Sequence, residues 1–178
     1  MKFKLLIILL VVLMMTGCVE GDPESLSITL NPGTDTIEVN SSFLDAGAKA
    51  TLNITRSHPV EVVENTVDIT QVGTYRIVYE TTYQNVTRSI FRVVHVVDET
   101  PPQIFLNSGV DTIFVNDVWE DAGVEVIDQS GLAVSLTVTG EVNISMIGEY
   151  QIYYIATDAF GNQSAITRYV SVIARPTS

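Results

Sequence analysis

Downstream of residue 26 the chain alternates between apolar and polar positions. In "YRIVYE", residues 75–80, Tyr75, Ile77 and Tyr79 fall on one side of an extended chain, and in "YQIYYI" Tyr150, Ile152 and Tyr154 do the same. A period of two is that of a strand with one buried face. Such runs, rich in Val, Ile, Thr and Tyr, are broken by Gly, Asn and Asp at spacings of about ten residues, the signature of an all-β sandwich or barrel rather than of helices. Residues 5–15, "LLIILLVVLMM", break this pattern with 11 uninterrupted apolar positions behind Lys2 and Lys4. A membrane span needs about 20, so this run reads as the apolar core of an export leader.

The pattern also repeats. "ITLNPGTDTIEVNSSFLDAGAKA" at residues 28–50 and "IFLNSGVDTIFVNDVWEDAGVEV" at residues 104–126 are offset by 76 positions and identical at 12 of 23. "VDITQVGTYRIVYETT" from Val67 and "VNISMIGEYQIYYIAT" from Val142 form a second pair. One domain has therefore been duplicated. Residues 26–98 and 104–174 are expected to be the two domains, joined by a linker at residues 99–103 that Pro101 and Pro102 stiffen. The copies diverge most over residues 53–65 and 128–141.

Within each copy, "VGTYRI" and "IGEYQI" set Tyr75 and Tyr150 just after a glycine. In immunoglobulin-like sandwiches a Tyr near the start of strand F hydrogen-bonds back across a corner, two residues before a cysteine. Ile77 and Ile152 stand where that cysteine would be, so an aliphatic contact is expected in place of the disulfide, and no Trp occupies the strand-C position of antibody domains. With "DETPPQI", "WEDAGVEVIDQSG" and "IGEYQIYYIATDAFGNQSAITRYVSV", the chain resembles bacterial immunoglobulin-like surface repeats, the group of pesticidal-crystal-protein Ig-like and hyaline-repeat modules. The resemblance covers nearly all of residues 26–174 and implies two tandem immunoglobulin-like β-sandwiches. Copy one departs from it with "TTYQNVTRS" where copy two has "TDAFGNQSA". The leader ends in Met15-Thr16-Gly17-Cys18, which resembles the bacterial lipobox with Met15 where Leu is more usual. That resemblance implies a signal peptide at residues 1–17, a lipid on the Cys18 thiol, and a short polar tether over residues 18–25. The protein would then be exported and anchored in the cell envelope, since two or more acyl chains hold a protein firmly to a membrane.

Composition narrows the partners. Cys18 is the only cysteine, so no internal disulfide can form. The formal net charge is −12, and loss of Lys2 and Lys4 with the leader brings the remainder to about −14, a surface that repels nucleic acid and anionic headgroups.

Catalytic chemistry is sparse. The only histidines are His58, before a proline in a divergent segment, and His95, on the strand face opposite Val94 and Val96. No HExxH, GxSxG or phosphate-binding glycine loop is present, so an enzyme is not expected. Asp45 and Asp121 lie in D-A-G turns, where Asp accepts backbone hydrogen bonds. Simple strand alternation returns the B–C and F–G turns of copy two to the linker, bringing Asp128, Asp158 and Asn162 toward Asp98 and Glu99. Such a set of oxygens either binds Ca²⁺ or is a group of ordinary turn formers. Copy one has Leu52 and Tyr83 near the matching positions. Trp119, opposite its counterpart Phe43, either closes the end of its sandwich as a plug or offers a ring to a sugar or protein partner. The asparagines of Asn-x-Ser/Thr triplets, such as Asn53 and Asn162, carry no message in a bacterial chain.

The last strand runs nearly to "VIARPTS", and no payload is expected beyond it. These readings together expect a non-catalytic, lipid-anchored envelope protein whose paired domains mediate adhesion or protein interaction at the cell surface. The alternatives are a carbohydrate-binding accessory module, or a structural spacer of an envelope assembly that pairs through its free edge strands.

Overall fold

The computed structural model describes residues 22–176, so the leader and Cys18 lie outside the described residues. A short 3-10 turn, Pro23–Ser25, is capped by the Asp22 side chain and leads into the first strand. The first repeat contains β1 (Ser27–Leu30), β2 (Thr36–Glu38), β3 (Ala48–Leu52), β4 (Arg56–His58), β5 (Glu61–Asn65), β6 (Gly73–Tyr83) and β7 (Val86–Val97). The second contains β8 (Gln103–Leu106), β9 (Thr112–Phe114), β10 (Val124–Ile127), β11 (Ser135–Thr139), β12 (Gly148–Thr157) and β13 (Gln163–Ile173).

Each repeat builds two sheets. The first has β1-β3-β4 and β2-β7-β6-β5, and the second has β10-β8 and β11-β12-β13-β9. Among the described residues, no sheet joins a strand of one repeat to a strand of the other. All pairings are antiparallel except β2 on β7 and β9 on β13, where Thr36 faces His95 and Thr112 faces Ser171. The divergent segments explain why the sheets differ in size. Residues 53–65 supply β4 and β5, whereas residues 128–141 supply only β11.

Burial follows the alternation. Ile77 and Tyr79 on β6 and Val94 and Val96 on β7 are buried, as are Ile152, Tyr154 and Ala156 on β12 and Val170 and Val172 on β13. Phe43 packs against the Ile77–Tyr79–Val94 cluster together with Ile28, Leu30 and Ile37. The corner tyrosines take the expected role, with the Tyr75 hydroxyl donating to Gln71 O (2.8 Å) and Tyr150 to Met146 O (2.9 Å).

The β6–β7 and β12–β13 hairpins turn differently, and this positions the site. In the first repeat Tyr83 pairs with Val86, so only Gln84 and Asn85 turn the chain, Gln84 in the left-handed region at φ 52°. In the second, Thr157 pairs with Gln163, and residues 158–162 form a wider loop whose Gly161 has φ 93°. That loop carries Asp158 and Asn162 to the end where the repeats meet.

Candidate functional site

Three loops meet at the junction. Asp98 follows β7, Asp128 follows β10, and Asp158 follows β12, so one acid comes from the first repeat and two from the second. One carboxylate oxygen from each lies within 4.8 Å of the other two. Asp98 is 6% exposed and Asp158 7%, so the group is largely removed from water. Among the described residues no Lys or Arg forms an ion pair with any of the three.

The partners of each oxygen differ. Asp158 Oδ1 accepts from the backbone N–H groups of Phe160 and Asn162, both at 2.8 Å, and its Oδ2 accepts from Asn162 Nδ2 at 2.8 Å. Asp128 Oδ1 accepts from Ser130 N at 2.9 Å and from the Ser130 hydroxyl. Asp98 Oδ1 has only the Thr100 N–H, at 3.4 Å. The Oδ2 atoms of Asp98 and Asp128 are buried with no hydrogen-bond partner.

These environments move the acids apart. Burial pushes the Asp98 carboxyl above its ordinary pKa, and the charges of Asp128 and Asp158 act in the same direction against weaker help from donors. Burial also opposes ionisation of Asp158, but the donors of Asn162, Phe160 and Gly161 outweigh it and hold its carboxyl below the usual range.

Of the other sequence candidates, Asn162 is central but acts as a donor, its Nδ2 bridging Asp98 O (3.0 Å) and Asp158 Oδ2 (2.8 Å). Glu99 is exposed and stands apart from the three-acid group; its backbone N–H donates to both oxygens of Glu38, 3.1 and 3.2 Å away. Trp119 is half-buried, and its indole N–H donates to Val110 O at 2.9 Å, which ties the ring to its own repeat. His58 Nε2 meets Thr82 O at 2.9 Å with its ring edge-on to Tyr83, and His95 Nδ1 meets Thr74 Oγ1 at 3.1 Å. Neither histidine forms an ion pair with a carboxylate among the described residues.

Three features of importance were not anticipated. Gln129 bridges the repeats, donating through Nε2 to Val39 O (2.7 Å) while its own carbonyl accepts from Asn40 Nδ2 (2.8 Å). Beside it lies a cleft of about 350 Å³ between Val39, Thr70 and Val72 of one repeat and Ser130, Leu132 and Phe160 of the other. The third feature is a buried arginine at the centre of each repeat. Arg168 Nη1 donates to Asp111 at 2.7 Å and Nη2 to the carbonyls of Asn107 (2.7 Å) and Gly123 (3.1 Å). Arg92 repeats this with Asp35, Asn31 O and Gly47 O. The D-A-G aspartates complete each set: Asp45 and Asp121 accept their turn N–H groups and also the Tyr79 and Tyr154 hydroxyls, both at 2.5 Å. Arg92 and Arg168 share the 76-residue offset of Asp35 and Asp111, a signal that was present in the repeat.

Residues 108–172 match the family model for "Bacterial surface protein, Ig-like domain". No curated protein matches the chain.

Proposed function

We propose, starting from a second repeat that is a bacterial Ig-like surface domain, that the chain is a non-catalytic, lipid-anchored envelope protein. Its two repeats act as tandem domains, and the second presents a face for adhesion or protein interaction. The family match carries this reading, and a specific surface supports it. Opposite the buried positions of β12 and β13, Tyr153 is 44% exposed, Ile155 37% and Tyr169 61%, on adjoining strands of one outward face. Tyr is over-represented at protein interfaces because it offers a large contact area with a polar tip.

The anchor and the face are tested separately. In cells fed an alkyne fatty acid, the chain takes up the label, and Cys18→Ser loses the label and moves the protein to the soluble fraction; an unlabelled wild-type chain refutes the anchor. For the face, the full chain in detergent is used to capture envelope proteins, and Tyr153→Ala with Tyr169→Ala is expected to abolish recovery of a stoichiometric partner without changing the melting temperature. Recovery unaffected by both substitutions would remove this face from the proposal. A glycan-array signal lost in Trp119→Ala with unchanged melting would select the carbohydrate-binding reading instead.

A further inference from the structure

We infer that Asp98, Asp128 and Asp158 hold one divalent cation, Ca²⁺, which clamps the end of the first repeat to two loops of the second. Three carboxylates meeting at a largely buried point with no basic side chain paired to them is an expensive arrangement, because buried charge is tolerated only when it is paired or coordinates a metal. Hydrogen bonding relieves that cost at Asp158 and at Asp128 Oδ1 and leaves it in place elsewhere. Asp98 Oδ2 and Asp128 Oδ2 have no donor, even though Asp98 is more than nine-tenths buried. The free oxygens belong to the two acids that come from different repeats, and the Ser130 donors, by holding Asp128 Oδ1, leave its other oxygen free.

The donor set selects the ion. Carboxylate oxygens without histidine or cysteine suit a hard cation. Two oxygens on opposite sides of one Ca²⁺ are about 5 Å apart, since its ligands sit at roughly 2.3–2.6 Å. The three oxygens, all within 4.8 Å of one another, fit that span. Mg²⁺, at roughly 2.0–2.1 Å, demands a tighter octahedron. Water would supply the remaining ligands.

The chain contains its own comparison. At the corresponding end of the first repeat stand Leu52, fully buried, and Tyr83, edge-on to His58. Asp22, the counterpart of Asp98, and Glu24 also stand at that end, but Asp128 and Asp158 have no acidic counterpart there. Among the described residues three carboxylates converge where the repeats meet, and an ion there has two bodies to join. Because Gln129 and Asn162 already bring those bodies together through neutral hydrogen bonds, the cation is needed to offset the charge and stiffen the contact.

The experiment is a calorimetric titration of CaCl₂ into the chelator-stripped full chain in detergent, alongside thermal melts with and without the ion. The expected result is one Ca²⁺ per chain with a Kd of about 10⁻⁵–10⁻³ M, a higher melting temperature with the ion, and weaker binding of Mg²⁺. Asp98→Asn and Asp158→Asn are each expected to weaken binding at least about tenfold. Asp98→Asn is further expected to melt no lower than the stripped wild type, because it relieves the repulsion. No heat and no melting shift at about 10 mM Ca²⁺ would overturn the inference. So would affinity unchanged by both substitutions, which would assign the ion to exposed acids. Neither failure bears on the surface reading, whose tests use the lipid label and the Tyr153 face.

Discussion

Replacing Arg168 with methionine tests whether the buried guanidinium holds the second repeat together. The side chain is 1% exposed; its Nη atoms donate to Asp111 and to the carbonyls of Asn107 and Gly123, and Nε lies 3.4 Å from Asp121 without a hydrogen bond. Methionine fills similar space but donates nothing; Gly123 O keeps the Asn107 N–H at 3.1 Å, so Asn107 O is the carbonyl left without its charged donor, at about 1–3 kcal/mol for an unsatisfied group. The carboxylates contribute less. Asp111 is 44% exposed and regains water, and Asp121 keeps the Tyr154 hydroxyl and the Gly123 N–H. The guanidinium itself no longer has to be desolvated, which offsets part of the loss. The net cost is therefore about 2 kcal/mol, below the range for breaking a fully buried pair. For a unit of this size that lowers the melting temperature by about 8–16 °C. Trp119, the only tryptophan, lies in the second repeat, so urea unfolding followed by its fluorescence reads this repeat alone. Arg168→Lys should recover little, because a single ammonium nitrogen cannot stand both where Nη1 meets Asp111 and where Nη2 meets the two carbonyls. Arg92→Met should cost a similar amount in the first repeat, read by far-UV circular dichroism. If Arg168→Met unfolds within about 1 kcal/mol of wild type, the reasoning fails, because packing alone would then account for the site.

Gly140 has φ 103°, and a Cβ there would lie 2.1 Å from Gln151 O, so Gly140→Ala should cost about 3 kcal/mol by urea unfolding. Gly131→Ala, at φ 70° with open space around it, should cost only about 1 kcal/mol. Tyr75→Phe and Tyr150→Phe each remove one hydroxyl-to-carbonyl bond and should cost about 1 kcal/mol in the same assay. Burial, with the carboxylates of Asp45 and Asp121 beside them, raises the Tyr79 and Tyr154 phenols above the ordinary value near 10. Because the folded state favours the neutral phenol, the stability it contributes is present below the unfolded pKa and is lost as pH rises through the folded pKa. An alkaline titration followed at the tyrosinate absorbance should show a two-tyrosine step above pH 10 that coincides with loss of the circular dichroism signal; ionisation of both without unfolding would contradict it.

The strands, the corner tyrosines and the D-A-G turns were legible because each rests on local spacing: two-residue alternation, a hydroxyl reaching four residues back, and a carboxylate reaching two residues on. The meeting of Asp98 with Asp128 and Asp158 was legible for a different reason, since strand alternation alone decides at which end of a sandwich a loop emerges. The arginine centres were hidden by the same rule that revealed the strands. At inward positions the pattern predicts apolar residues, so Arg92 and Arg168 read as breaks in it, and their partners Asp35 and Asp111 lie 57 residues away. Gln129 was hidden because its side chain contacts a backbone carbonyl of the other repeat, which no side-chain pattern encodes. Asn162 was expected to offer an oxygen, but the backbone carbonyl of Asp98 and the carboxylate of Asp158 both call for a donor, and its amide supplies one.

The two repeats agree on how a sandwich is held and disagree on what its end faces. Each has a buried arginine, a D-A-G aspartate taking a tyrosine hydroxyl, and a corner tyrosine, so the needs of folding are met identically in both. The difference between Leu52 with Tyr83 and Asp128 with Asp158 therefore lies outside those shared needs, and in the second repeat it coincides with contact to Asp98 of the first. An apolar end closes a sandwich at no electrostatic cost, whereas an acidic end set against Asp98 repels it until the charge is offset. Hydrogen bonds from Gln129 and Asn162 tether the repeats in either condition, but they leave two carboxylate oxygens without a partner. A cation at that point would turn a tethered pair into a stiff one and fix the direction in which the Tyr153 and Tyr169 face points. Control of that direction by Ca²⁺ would link the proposed junction site to the proposed role of that face.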